Sequence, residues 1–131
     1  MIPHQRFVLL AIVLTAALLA LAQINQHLIL ASDNASYIVL GQALAMGRGY
    51  VMINEPMAPP MNLYPFGYPL LLAAVLRLAG AVAAPLQAVV PMKLVAVLFY
   101  LGSLPLVYAL VKRRHGDLLA ALTTTLVAVN P

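Results

Sequence analysis

Apolar residues run almost without a break from Phe7 to about Leu30, and again over Phe66–Ala84, Val89–Val111 and from Leu118 onward. Runs of this length without strict alternation read as helices, not strands. The first three are long enough for bilayer spans at 1.5 Å per residue. Between Asp33 and Met46 the pattern changes. Tyr37, Leu40 and Leu44, with Ile38 and Ala45, recur at helical spacing. Ser32 or Asp33 is placed to cap this helix, and Gly47 and Gly49 are placed to end it. The pattern therefore predicts an all-α chain: a span over residues 7–30, short helices over about 34–46 and 69–84, a span over about 89–111, and a partial span over 118–131.

The stretch between the short helices, "VMINEPMAPPMNLYPFGYPLLLA", holds five prolines from Pro56 to Pro69. Proline fixes φ and removes an amide donor, so this stretch reads as an irregular loop of low backbone entropy. Pro105 after Gly102-Ser103 predicts a bend in the second span.

Composition turns this helical reading into a membrane reading. Hydrophobic residues make up 64% of the 131 residues and charged residues 8%, with a mean hydropathy of +1.00. A soluble domain carries about 25% charged residues, so the expectation is an integral, multi-pass membrane protein. With no cysteine, thiolate metal sites and disulfides are excluded. The net charge of +4 is spread along the chain and speaks to topology, not to nucleic acid. Ala20-Leu21-Ala22 also resembles a leader cleavage site, which would release a chain starting near Gln23. The apolar character of everything downstream favours an uncleaved first span.

The charges choose between two topologies. If Phe66–Ala84 crossed, Lys112-Arg113-Arg114-His115 would fall on the side opposite Arg6, and Arg77 would lie near the bilayer centre. There an arginine costs about 2.5–3.5 kcal/mol on insertion scales. If that segment lies at the outer interface instead, Arg77 reaches headgroups and both basic groups are cytoplasmic. The favoured arrangement puts the N-terminus in the cytoplasm and residues 32–88 on the outer side of the plasma (inner) membrane. Because the last apolar run stops at Asn130-Pro131, roughly 18 Å of helix against a core of about 30 Å, the chain is expected to be the amino-terminal part of something longer.

Asp33 is the carboxylate at the point where the first span would leave the bilayer. It serves either as a cap or as a functional acid, and the helix dipole favours negative charge there. Gln26 would share its face if the first helix ran on unbroken. Glu55 is the other acid of the loop, as a site residue or a solvated one. Asn34-Ala35-Ser36 fits a glycosylation acceptor but lies in a helix start against the membrane.

In order, "SDNASYIVLGQALAMGRGY", "LYPFGYPLLLA", "KRRHG" and "LVAVNP" resemble the start of GT-C membrane glycosyltransferases. The nearest patterns are the protein O-mannosyltransferase-like and lipid A aminoarabinose transferase-like families. The resemblance implies a polyprenyl-phosphate-linked sugar donor, transfer on the outer face, and a second loop segment forming a juxtamembrane helix. It places Asp33 on the catalytic acid of the first loop and Tyr37 on the tyrosine that follows it. Arg48 would meet the leaving phosphate, with Glu55, Tyr64 and Tyr68 as further substrate-binding residues. Asn34 stands where a second acid is usual and Phe66 where a proline is usual. Paired-carboxylate metal binding is therefore not implied: a divalent ion is compatible, and none is required. The implied partners are the bilayer, the lipid-linked donor and the remaining spans of the longer protein. The alternative is a small multi-pass accessory protein without catalytic activity, in which Asp33 is a cap.

Overall fold

The computed structural model describes residues 3–25, 27 and 32–129. Among them the chain is all-helical: α1 is Pro3–Ala22, α2 Ser32–Ala45, α3 Gly67–Leu78, a 3-10 turn Pro85–Ala88 follows, and α4 is Val89–Val129. No strand occurs among the described residues; Val51 and Pro60 form one isolated antiparallel bridge. Two of the helices are long and apolar enough to cross a membrane, over Gln5–Ala22 and within Pro85–Val129. The chain divides into two compact units, Met1–Ile24 with Lys93–Pro131, and Asn25–Met92.

The first unit is built from α1 and α4. Backbone dihedrals in α4 leave the helical region only at Gly116, with φ 83° and ψ 178°. That conformation is essentially restricted to glycine. It breaks α4 into an arm of residues 89–115, about 40 Å long, and an arm of residues 117–129, about 20 Å long. The arms fold back on each other. The Tyr100 hydroxyl donates to the Ala128 carbonyl at 2.7 Å, and the Tyr108 hydroxyl donates to Asp117 Oδ1 at 3.3 Å. Contacts that pair 100 with 128 and 108 with 117 define an antiparallel hairpin. Along its inner face Leu104 and Tyr108 meet Ala120, Thr124 and Ala128, all buried. Small residues four apart on the second arm let the helices approach closely, and Thr124 bonds back to the Ala120 carbonyl. Ala16 of α1 joins Leu104 and Ala128 in one cluster, with Ile12, Val13, Tyr100 and Leu101 against it. At the other end Gln5 meets Lys112 and Asp117. Residue 5 therefore pairs with 112 and residue 16 with 104, so α1 runs antiparallel to the first arm.

The second unit is built from α2 and α3. Leu40, Leu72, Leu76 and Pro69 are fully buried between them. The helices touch where Gly41 stands: a Cβ there would lie 2.9 Å from Leu72 Cβ and 3.2 Å from the Pro69 carbonyl. Both helices end in the same hydrogen-bond pattern. After α2, Arg48 N–H donates to the Ala43 carbonyl and Gly47 N–H to that of Leu44; after α3, Ala81 donates to Leu76 and Gly80 to Arg77. These are Schellman motifs, each closed by a left-handed glycine.

Several expected boundaries shift. The first helix stops at Ala22, not near Leu30, with Gln23 and Ile24 amides bonded three residues back. It does not run on unbroken towards Asp33, and Gln26 lies outside the described residues. α2 begins at Ser32, so Asp33 is inside the first turn instead of preceding the helix. α3 ends at Leu78, six residues short of Ala84, because of the Gly80 stop. The first arm of α4 continues through the basic cluster to residue 115, and the one break in helical dihedrals is at Gly116.

Candidate functional site

The second unit gathers the loop acid and three tyrosines. Asp33 enters from the first turn of α2, and Tyr37 lies one turn further along the same helix. Tyr64 comes from the proline-rich loop, and Tyr68 from the start of α3. The Tyr64 hydroxyl donates to Asp33 Oδ1 at 3.0 Å. The Tyr37 ring packs edge-on against Tyr64, with centroids 5.0 Å apart, and against Tyr68 at 5.3 Å. Edge-to-face pairs at such distances are favourable beyond the area they bury. Asp33 is exposed and Tyr37 half-buried. The result is a carboxylate at a helix start, bonded by one phenol whose ring packs on Tyr37, which in turn packs on Tyr68.

The loop that delivers Tyr64 is held by more than its prolines. Met52 N–H donates to the Pro59 carbonyl and Met61 N–H to that of Tyr50, a short ladder around the Val51–Pro60 bridge. The Tyr50 hydroxyl then donates to the Tyr64 carbonyl at 2.9 Å, and its ring meets Phe66 at 5.3 Å. Tyr50 thus fixes the backbone that carries Tyr64. Nothing in the linear pattern marked it beyond its place after "GRG". Burial pushes the Tyr50 and Tyr68 hydroxyls above the ordinary tyrosine range, and the nearby Tyr37 adds to both shifts. Both remain neutral hydrogen-bond donors at physiological pH.

Arg48 and Glu55 do not join this cluster. Arg48 is exposed in the turn after α2 and Glu55 in the loop, and neither side chain forms a hydrogen bond or ion pair with another described residue. Arg77, expected to reach headgroups, has another partner: its Nε donates to the Ala45 carbonyl at 2.9 Å. This satisfies a carbonyl at the end of α2 and sets a cation against the negative end of that helix. Among the described residues no three His, Asp or Glu side chains come together, so this site offers a metal ion one carboxylate. Comparison with protein-family models, with curated proteins and with solved structures finds no match to this chain.

Proposed function

We propose that this chain forms the amino-terminal membrane region of a glycosyltransferase that takes its sugar from a polyprenyl-phosphate-linked donor on the outer face of the membrane. One observation carries the reading: the two segments on which the resemblance rests meet at a single carboxylate. Asp33 and Tyr37 belong to one, Tyr64 and Tyr68 to the other, and the Tyr64 hydroxyl bonds Asp33 directly. In this reading Asp33 accepts the proton of the acceptor nucleophile as that nucleophile attacks the anomeric carbon. The bond from that carbon to the phosphate oxygen breaks, and the lipid phosphate leaves with its electrons. Tyr64 holds the carboxylate in position, and the rings of Tyr37 and Tyr68 flank the sugar. Arg48, exposed and uncommitted, is assigned to the leaving phosphate, where positive charge counts most in the transition state.

The topology that this chemistry needs has independent support. Since α1 and the first arm of α4 are antiparallel, α1 ends and α4 begins at the same end of their bundle. α2 and α3, at 14 and 12 residues, are about 21 and 18 Å long, too short for a core of about 30 Å. In this reading both lie at the outer interface, as the charge pattern favours. Arg6 and Lys112–His115 lie at one end of the first unit and are assigned to the cytoplasmic side. An impermeant thiol reagent tests this: His115→Cys should stay unlabelled in intact cells and become labelled after lysis. Labelling in intact cells would overturn the topology.

The reading as an accessory protein has one observation in its favour, the engagement of Asp33 by Tyr64, which also serves to tie the loop to α2. Asp33→Asn separates the two. Asparagine keeps an acceptor for the Tyr64 hydroxyl and suits a helix start about as well as aspartate. Sugar transfer from a polyprenyl-phosphate donor, measured in membranes containing the full gene product, should fall by about 10²–10⁴ with expression and unfolding temperature unchanged. Near-normal transfer would remove Asp33 from the mechanism and leave Glu55 as the acid of this loop.

A further inference from the structure

At the end of the first unit where α1 begins, a polar knot leaves three arginines uncompensated. Gln5 Nε2 donates to Asp117 Oδ2 at 2.6 Å, and Lys112 Nζ donates to Gln5 Oε1 at 2.6 Å. Lys112 Nζ also lies 2.7 Å from Asp117 Oδ1. The knot ties the start of α1 to both arms of α4 beside the Gly116 turn. It uses the single acid in this unit's sequence, Asp117, and neutralises Lys112. Arg6 adjoins Gln5, and Arg113 and Arg114 adjoin Lys112. All three are exposed, and none forms a hydrogen bond or ion pair with another described residue.

Just beside these charges the helices are apolar outwards. Phe7 is 71% exposed, Leu110 60% and Leu118 77%. Cations at a helix end with bare apolar side chains next to them match a lipid interface, where headgroups meet hydrocarbon. A dissolved anion would be served equally well without that apolar margin. We propose that this end of the bundle binds the phosphates of anionic phospholipids, through the guanidinium groups of Arg6, Arg113 and Arg114. Guanidinium presents a planar fork that matches phosphate bidentately. The knot's part is to hold the three side chains at one level by fixing the elements that carry them.

The test compares lipids on the purified full chain in neutral detergent. Short-chain phosphatidylglycerol and phosphatidylcholine are titrated separately, and retention is followed by native mass spectrometry and by unfolding temperature. A cation near an anionic surface contributes about fivefold in affinity, so three give a preference for phosphatidylglycerol of up to about a hundredfold, declining with salt. R6Q/R113Q/R114Q should abolish the preference and leave the lipid-free unfolding temperature unchanged, because these side chains make no bond to another described residue. Lys93→Gln, at the opposite end of the bundle, should retain it. Equal retention of the two lipids, or a preference that survives the triple substitution, would overturn the proposal. So would an equal rise in unfolding temperature with inorganic phosphate alone, which would point to a soluble anion.

Discussion

The two units solve the same problem, burying helices, in opposite ways. The first uses length: α1 and the arms of α4 meet along small and aliphatic side chains and leave Phe7, Leu14, Leu18, Leu98 and Leu106 facing outwards. Its side-chain bonds between helices sit towards its ends, in the Gln5–Lys112–Asp117 knot and in the Tyr100 bond to a terminal carbonyl. The second unit uses short helices stopped by glycine, a loop braced by tyrosine hydroxyls, and side chains that satisfy backbone carbonyls, as Arg77 and Gln42 do. A unit of long helices with outward leucines suits hydrocarbon, where backbone groups are satisfied within the helix. One whose loop and helix ends are bonded by polar side chains suits the interface. In the second unit the irregular loop delivers Tyr64 to the start of α2, beside Asp33.

The sharpest way to break this contrast is at Gly116. A β-branched residue cannot adopt φ 83°, ψ 178° without strain of about 1–3 kcal/mol. Gly116→Val should cost near the top of that range and open the α4 hairpin. Hydrogen exchange should then rise in residues 117–129 and stay unchanged in α2 and α3.

Gly41→Ala is the reciprocal change. The new methyl meets Leu72 Cβ at 2.9 Å, and overpacking of this kind costs about 1–3 kcal/mol. Exchange should rise in α2 and α3 alone. Were either substitution to loosen both units equally, the division into two units would be lost.

A smaller effect is expected from Arg77→Met, which keeps an apolar stem but removes the donor to the Ala45 carbonyl. The loss should be about 1 kcal/mol, read as a lower unfolding temperature and faster fraying of the α2 C-terminus. The smallest is a pH effect. Tyr50 and Tyr68 have raised hydroxyl pKa values in the folded chain, so the folded state holds these protons more tightly than the unfolded one. Their contribution is complete below pH 10 and is lost as the pH rises beyond it. Tyr50→Phe and Tyr68→Phe should each flatten the alkaline fall in unfolding temperature, while the neutral-pH activity of Tyr68→Phe reports whether its hydroxyl has a second use.

Much of the helical organisation was legible in the pattern. Apolar runs marked α1 and the first arm of α4, and Tyr37, Leu40 and Leu44 marked α2, because helical period and apolar length are local properties. Stops were legible where their chemistry is local, as at Gly47. Gly80 lay inside an apolar run that masked it, so the helix expected to reach Ala84 ends at Leu78. Gly116 follows directly on the basic cluster, and nothing local marked it as the break in α4, where the helix continues to the residue before it. Of the candidate site, Asp33 stood out by its position, and the three tyrosines were named only through the resemblance. Their meeting, and the absence of Arg48 and Glu55 from it, could not be read from the sequence.

By itself, the sequence determined an apolar, all-helical chain with its loop acid and tyrosines between two long apolar segments, since composition and period act residue by residue. Tertiary structure alone decided which partners those residues take. Arg77, legible only as a cation needing water or headgroups, caps α2 through the Ala45 carbonyl. Lys112 and Asp117 close on Gln5 across more than a hundred positions of sequence. Tyr64 reaches Asp33 because Tyr50 and the bridge at Val51 hold the loop that carries it. Each of these depends on the crossing of helices and the course of a loop, and those are set by close packing across the whole unit, as at Gly41 against Leu72, not by any one stretch of residues.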